Sequence, residues 1–278
     1  MIDTEKAMNE LVAKGIKIPP QPKVLLELSQ KLANEDFSVR SIARTIAGDP
    51  GISAMLFKAA RSPAFGHGRR FETIDQIIML VGVKQTYNLV QAMALQSSVS
   101  DDTRKIFDVF WTRSNEIAQL ATLIAVDRVS ICNVFPDQAY MAGIFHGCGV
   151  PLLLQRFPDY CKSFQQNYSC WPNLVEEDAK FNVDHCSVGY IVARHWGLPD
   201  FICSAIQYHN EIPNDEIGTV CALVAILQLS IHFYCRISAI EDPVWANIGE
   251  AVLYQLGIRP DEEQSYFEEI SEQFLGKC

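Results

Sequence analysis

Tyr140-Met141-Ala142-Gly143-Ile144-Phe145-His146-Gly147-Cys148-Gly149-Val150-Pro151-Leu152-Leu153-Leu154 carries no formal charge and is apolar along most of its length, as a helix buried inside a larger helical body would be. Its three glycines each weaken a helix by about 1 kcal/mol relative to alanine. A helix over 140–154 is therefore expected either to pack closely against a neighbour or to break. Its one imidazole is His146, and the residue after it is Gly147.

Outward from this stretch the apolar residues recur at helical spacing nearly throughout. No Asn-Gly, Asp-Gly or Gly-Gly dipeptide offers a tight hairpin turn, so the chain is expected to be all-α, a multi-helix bundle. Ser38 precedes Val39, Ile42, Ala43 and Ile46, with Gly48 following, and Pro50 then suits the first turn of the next helix. Thr73 and Gln76 have the spacing of a capping box for a helix ending near Gly82, and a further helix is expected from about Lys84 to Ser97. Ile106, Phe110, Ile117, Leu120, Ala121 and Ile124 predict a long central helix between Asp101 and Arg128. Asn182 or Asp184 can cap a helix running to His195, and Gly197-Leu198-Pro199 stops it and starts another. The cluster Ser98, Ser100, Asp101 and Asp102 places a boundary near 98–104, giving an N-terminal helical subdomain (1–100) and a second helical subdomain (101–278).

The 278 residues are 49% hydrophobic, ample for a buried core, and the formal charge of −10 disfavours nucleic acid. One basic spot, Arg61 with His67, Arg69 and Arg70, has the composition of an anion site or of a solvated loop. The uncharged run from Gly218 to Cys235 contains Gln228, Ser230 and His232 and is followed by Arg236, which fits a buried central helix better than a membrane span. The opening residues lack a basic region followed by an apolar run, so a cytoplasmic location is expected. Nine cysteines, without a Cys-x-x-Cys pair, read as buried thiols, with Cys148 beside His146 the one to weigh as a ligand.

His146, His185 and His209 could form a three-imidazole metal site, with Asp184 as an adjacent acid; against this, each histidine could be a buried residue bonded to a neighbour, and Asp184 a helix cap. A metal that activates water for phosphoester hydrolysis wants carboxylates beside its imidazoles, to offset charge and to bridge two ions. His195 beside Trp196 reads as packing, and His67 and His232 lack convergent partners in sequence.

Ile18-Pro19-Pro20-Gln21-Pro22, Asp49-Pro50, Ala60-Arg61-Ser62, the helix from Ile74 to Gly82, Phe110-Trp111, Ala142 to His146, Asp184-His185 with Gly189, and Trp196-Gly197-Leu198-Pro199 leading to His209 together resemble the HDOD family, the HD-related output domains of bacterial signalling proteins. The resemblance covers roughly residues 15–210. It implies an HD-domain-like bundle and a regulatory or interaction module with a signalling protein as partner. In the catalytic HD superfamily, it further implies, a His would stand near Arg113, an Asp at Gly147 and a late Asp on the helix between Gly218 and Ile240, where this chain has no acid. Two alternatives stay open: a divergent phosphohydrolase using manganese, iron or zinc, and a sensor whose Arg113 meets a nucleotide phosphate. Arg113 could equally pair with an acid.

Overall fold

The structure is a computed structural model, and it describes residues 4–18, 20–34, 37–61, 71–97, 104–160, 172–212 and 220–276. Two compact units emerge, one formed by Pro19–Asp101 and the other by Met1–Ile18 with Asp102–Cys278. Residues 1–18 thus group with the larger unit. They begin with helix α1, Thr4–Ala13. Every regular element among the described residues is a helix.

The smaller unit holds α2 (Lys23–Leu32), α3 (Val39–Ala47), α4 (Pro50–Ala60), α5 (Ile74–Val81) and α6 (Val83–Ser97). Caps fix their starts. The side chain of Ser38 accepts the Ser41 N–H, Asp49 accepts the Ile52 N–H ahead of Pro50, and Thr73 accepts the Gln76 N–H. Gln76 does not close the box on Thr73; its side chain accepts the N–H of Glu72, one residue earlier. Arg61 is exposed at the end of α4, and the rest of the basic spot, with Ser98, Ser100, Asp101 and Asp102, lies outside the described residues.

The larger unit is built on α7, Arg104–Cys132, which buries Ile117, Ala118, Leu120, Ala121, Ile124 and Ala125. Against it packs α8, Pro136–Phe145, so closely that a Cβ on Gly143 would stand 2.5 Å from the Ala118 Cα. The expected single helix over 140–154 is instead two: residues 146–149 form a turn, and α9 (Val150–Arg156) follows. Close packing and a break thus both occur. Next come α10 (Leu174–Phe181), α11 (His185–His195), α12 (Asp200–Tyr208), α13 (Cys221–Ile237), α14 (Trp245–Gln255) and α15 (Glu263–Phe274). Helix α13 is buried from Leu223 to Cys235 and packs on α7, α8, α12, α14 and α15, which makes it the centre of the unit. Among the described residues no helix is long and apolar enough to cross a membrane.

Candidate functional site

The turn at 146–149 exists because α8 has to end where α11 passes. A Cβ on Gly149 would lie 2.1 Å from the carbonyl oxygen of His185 and 2.8 Å from the amide nitrogen of Gly189, so α11 rests directly on the backbone of this turn. Asp184 caps α11, accepting the N–H and hydroxyl of Ser187, and Asn182 ends α10 in a left-handed conformation at φ 52°. His185 opens α11, His146 caps the C-terminus of α8, and His209 caps that of α12. Gln228 on α13 fixes the last of these by donating to the carbonyls of His209 (3.1 Å) and Glu211 (2.6 Å).

The three histidines converge. The His185 and His209 Nε2 atoms lie 3.3 Å apart, and the ring of His209 stands edge-on to both His146 and His185, with centroids 5.3 Å away in each case. Each Nδ1 is committed elsewhere: His146 to the Gly143 carbonyl (2.6 Å), His209 to the Ile206 carbonyl (2.7 Å), and His185 to the Glu177 carboxylate (2.8 Å). An imidazole held by Nδ1–H to an oxygen presents a bare Nε2, the arrangement that orients histidines toward a cation. Burial is nearly complete, at 3%, 1% and 2% exposure for His146, His185 and His209.

The charge on this cluster is unequal. Burial, aided by His185 and Arg113, lowers the His146 pKa to about 4 against the bond from its backbone neighbour. Burial and the other two histidines hold His209 well below its usual range. Burial acts against the His185 cation as well, but the Cys186 thiol and the Glu177 carboxylate outweigh it, and the group sits well above its usual range. Of the three, His185, beside Glu177, is the imidazole whose protonated form is favoured.

Two residues here escaped the sequence reading. Glu177 is buried on α10 and its carboxylate accepts from the Tyr160 hydroxyl (2.7 Å), the His185 N–H (2.8 Å) and the His185 ring. The local signal was an acid in an otherwise ordinary amphipathic helix, eight residues ahead of His185. Cys186 is the thiol at the histidines, with Sγ 3.6 Å from His185 Nε2 and 3.6 Å from His209 Nδ1, and Asn210 Nδ2 lies 3.4 Å from the sulfur. Cys148 instead bonds the Gly189 carbonyl through its thiol, which burial makes harder to ionise. Asp184 serves as a cap and Arg113 is buried over the Tyr234 ring, 5.7 Å from its centroid. His232, which lacked partners in sequence, gains Asp242 and Glu263 in space.

A two-ion, carboxylate-bridged hydrolytic centre does not fit these residues. At Gly147, where an acid would be wanted, the Phe110 ring already comes within 2.8 Å of where a Cβ would stand. Helix α13 brings no carboxylate, and the oxygens of Glu177 are taken up by Tyr160 and His185. Among the described residues, the donors that come within 4.8 Å of one another are His185, Cys186 and His209, a nitrogen and sulfur set.

Comparison with known proteins agrees with this architecture. The HDOD domain family matches residues 18–212. An uncharacterised protein of Treponema pallidum is 24% identical over 225 residues, 78% of this chain and 42% of that protein, so the chain spans less than half the length of this relative. Among solved structures, an HDOD domain protein of unknown function from Geobacter sulfurreducens is 20% identical with a TM-score of 0.64, covering 96% of both chains. A candidate phosphohydrolase from Shewanella amazonensis SB2B is 21% identical with a TM-score of 0.68, covering 96% of this chain and 95% of that one. A candidate signal transduction protein from Marinobacter aquaeolei VT8 is 19% identical with a TM-score of 0.69, over 99% of this chain and 66% of that chain. These likenesses concern the fold.

Proposed function

The chain belongs to the HDOD domain family, and on that premise we propose that it is a regulatory module of signal transduction that works by holding a partner protein and turns over no phosphoester. The observation that carries this reading is the contact between Phe110 and Gly147: the space an acidic ligand needs beside His146 is filled by an aromatic ring. Hydrolysis of a phosphoester on metal-bound water draws on carboxylates that hold and bridge the ions. Among the described residues the buried carboxylate at the histidines, Glu177, is taken up in orienting His185. A helical scaffold kept intact around such a cluster suits recognition of another protein.

The test pairs an activity assay with a capture. Purified protein supplied with manganese, iron or zinc should leave bis(p-nitrophenyl) phosphate and cyclic dinucleotides intact, while cross-linking in cells should return the same partner reproducibly. Metal-dependent cleavage that disappears in His146→Ala would overturn the proposal in favour of a divergent phosphohydrolase.

One observation favours a second reading, in which the remnant pocket takes a nucleotide without cleaving it. The Arg113 cation is near enough to His146 to depress its ionisation, and a guanidinium suits a phosphate. Calorimetry with a panel of nucleotides decides it: binding that is weakened in Arg113→Ala supports the reading, and affinity unchanged by the substitution removes it.

A further inference from the structure

The mismatch with a two-ion hydrolytic centre leaves a different fit. We infer that His185, Cys186 and His209 form a site for a single thiolate-seeking metal ion of the zinc class. Two imidazole Nε2 atoms stand 3.3 Å apart, each on a ring whose Nδ1 is bound to an oxygen, so both can face a single ion.

Distances select the kind of ion. Zinc bonds of about 2.0–2.1 Å to nitrogen and about 2.3 Å to sulfur, at tetrahedral angles, put nitrogen pairs roughly 3.3–3.4 Å apart and nitrogen–sulfur pairs roughly 3.6 Å apart. The His185–His209 separation is 3.3 Å and the Cys186 Sγ to His185 Nε2 separation is 3.6 Å. The sulfur stands beside the His209 ring, 3.9 Å from its Nε2 and 3.6 Å from its Nδ1, so it joins the ion by turning about its Cα–Cβ bond. Asn210 Nδ2 is 3.5 Å from His185 Nε2 and 3.4 Å from Cys186 Sγ; with its amide turned end for end, its oxygen faces the fourth position.

The donor set favours zinc or cobalt over manganese or magnesium, because thiolate and imidazole are softer than carboxylate. Glu177 stays outside the coordination sphere, orienting His185. Since all three donors are buried, the ion enters as α10, α11 and α12 come together and is supplied during expression or refolding. The role is structural, a clasp between helices, and it stands or falls separately from the regulatory reading.

The experiment is cobalt substitution of the full chain, read by metal content and near-ultraviolet absorption. About one cobalt per chain with an intense sulfur-to-cobalt charge-transfer band is expected, displaced by zinc and left in place by magnesium. Cys186→Ser should lose the band, and Glu177→Gln should keep it with affinity lowered about 10- to 100-fold. Wild-type protein that binds no cobalt, or binds it without the band, overturns the inference before any variant is made. A band that persists in Cys186→Ser does so too.

Discussion

His185 and His209 meet through their Nε2 atoms at 3.3 Å inside the bundle, and the carboxylate of Glu177 closes the far side of the His185 ring. The ring of His185 is thereby held between a second imidazole and a buried carboxylate. Removing a group from such an arrangement leaves its partner buried without compensation, which costs more than the pair itself contributes.

Stability of the metal-free protein should follow pH with two limbs. His146, lowered to about 4, and His209, lowered as well, contribute stability that is present above the unfolded value of about 6.5 and lost as pH falls through their folded values. His185, raised, contributes stability fully present below about 6.5 and lost as pH rises through its folded value. Between pH 6.5 and 4 the loss attributable to His146 should be on the order of 1 kcal/mol per pH unit. Urea unfolding at several pH values, compared with His146→Gln, checks this: the variant should have a shallower acid limb, and equal slopes would remove His146 as the cause.

Glu177 and Asp184 are both acids ahead of the same histidine, yet their replacements should differ. Asp184→Ala removes a helix cap and should cost about 1 kcal/mol. Glu177→Ala strands the His185 cation, the His185 N–H and the Tyr160 hydroxyl, and should cost about 3–5 kcal/mol. Denaturant titration of both variants decides the matter, and equal costs would mean that Glu177 carries no special load.

That contrast also marks how far the sequence could be read. Helix starts were legible because a cap acts within four residues: Ser38, Thr73 and Asp184 all bond an N–H three positions on. The convergence of His146, His185 and His209 was legible only as a candidate, since it depends on α8, α11 and α12 meeting. Glu177 and Cys186 stayed hidden because their partners are chosen by packing, which no local spacing reports. The stop after His146 depends on α11 lying against Gly149, a contact forty residues away in sequence by Gly189.

Gly149→Ala should be among the most damaging single substitutions in the chain. The new Cβ would meet the backbone of α11 at 2.1 and 2.8 Å, and backbone cannot turn aside as a side-chain end can. Overpacking of this kind costs about 1–3 kcal/mol and occasionally more; with backbone as the obstacle the upper end is expected. Gly147→Asp is the milder case, because its obstacle is the Phe110 ring at 2.8 Å. Thermal melts should show the Phe110→Ala background recovering part of the Gly147→Asp loss and none of the Gly149→Ala loss. Recovery of both would mean that the contact between the 146–149 turn and α11 is softer than its geometry implies.

His232 ties the last three helices together, although it stands apart from the other histidines. Its ring stacks on Trp245 at 3.9 Å and 9°, while Nδ1 faces Asp242 at 3.0 Å and Nε2 faces Glu263 at 3.4 Å. Asp242 in turn accepts the N–H groups of Val244 and Trp245 at the start of α14, so one side chain on α13 reaches the beginnings of both α14 and α15. His232→Phe keeps a ring against Trp245 and loses the two carboxylate contacts, for about 1–3 kcal/mol; His232→Ala also loses the stacking and should cost more. Hydrogen exchange locates the effect. Protection should fall in both variants across 240–276 and hold in α10 and α11, and a uniform loss over the whole unit would show that His232 supports the core rather than joining its final helices.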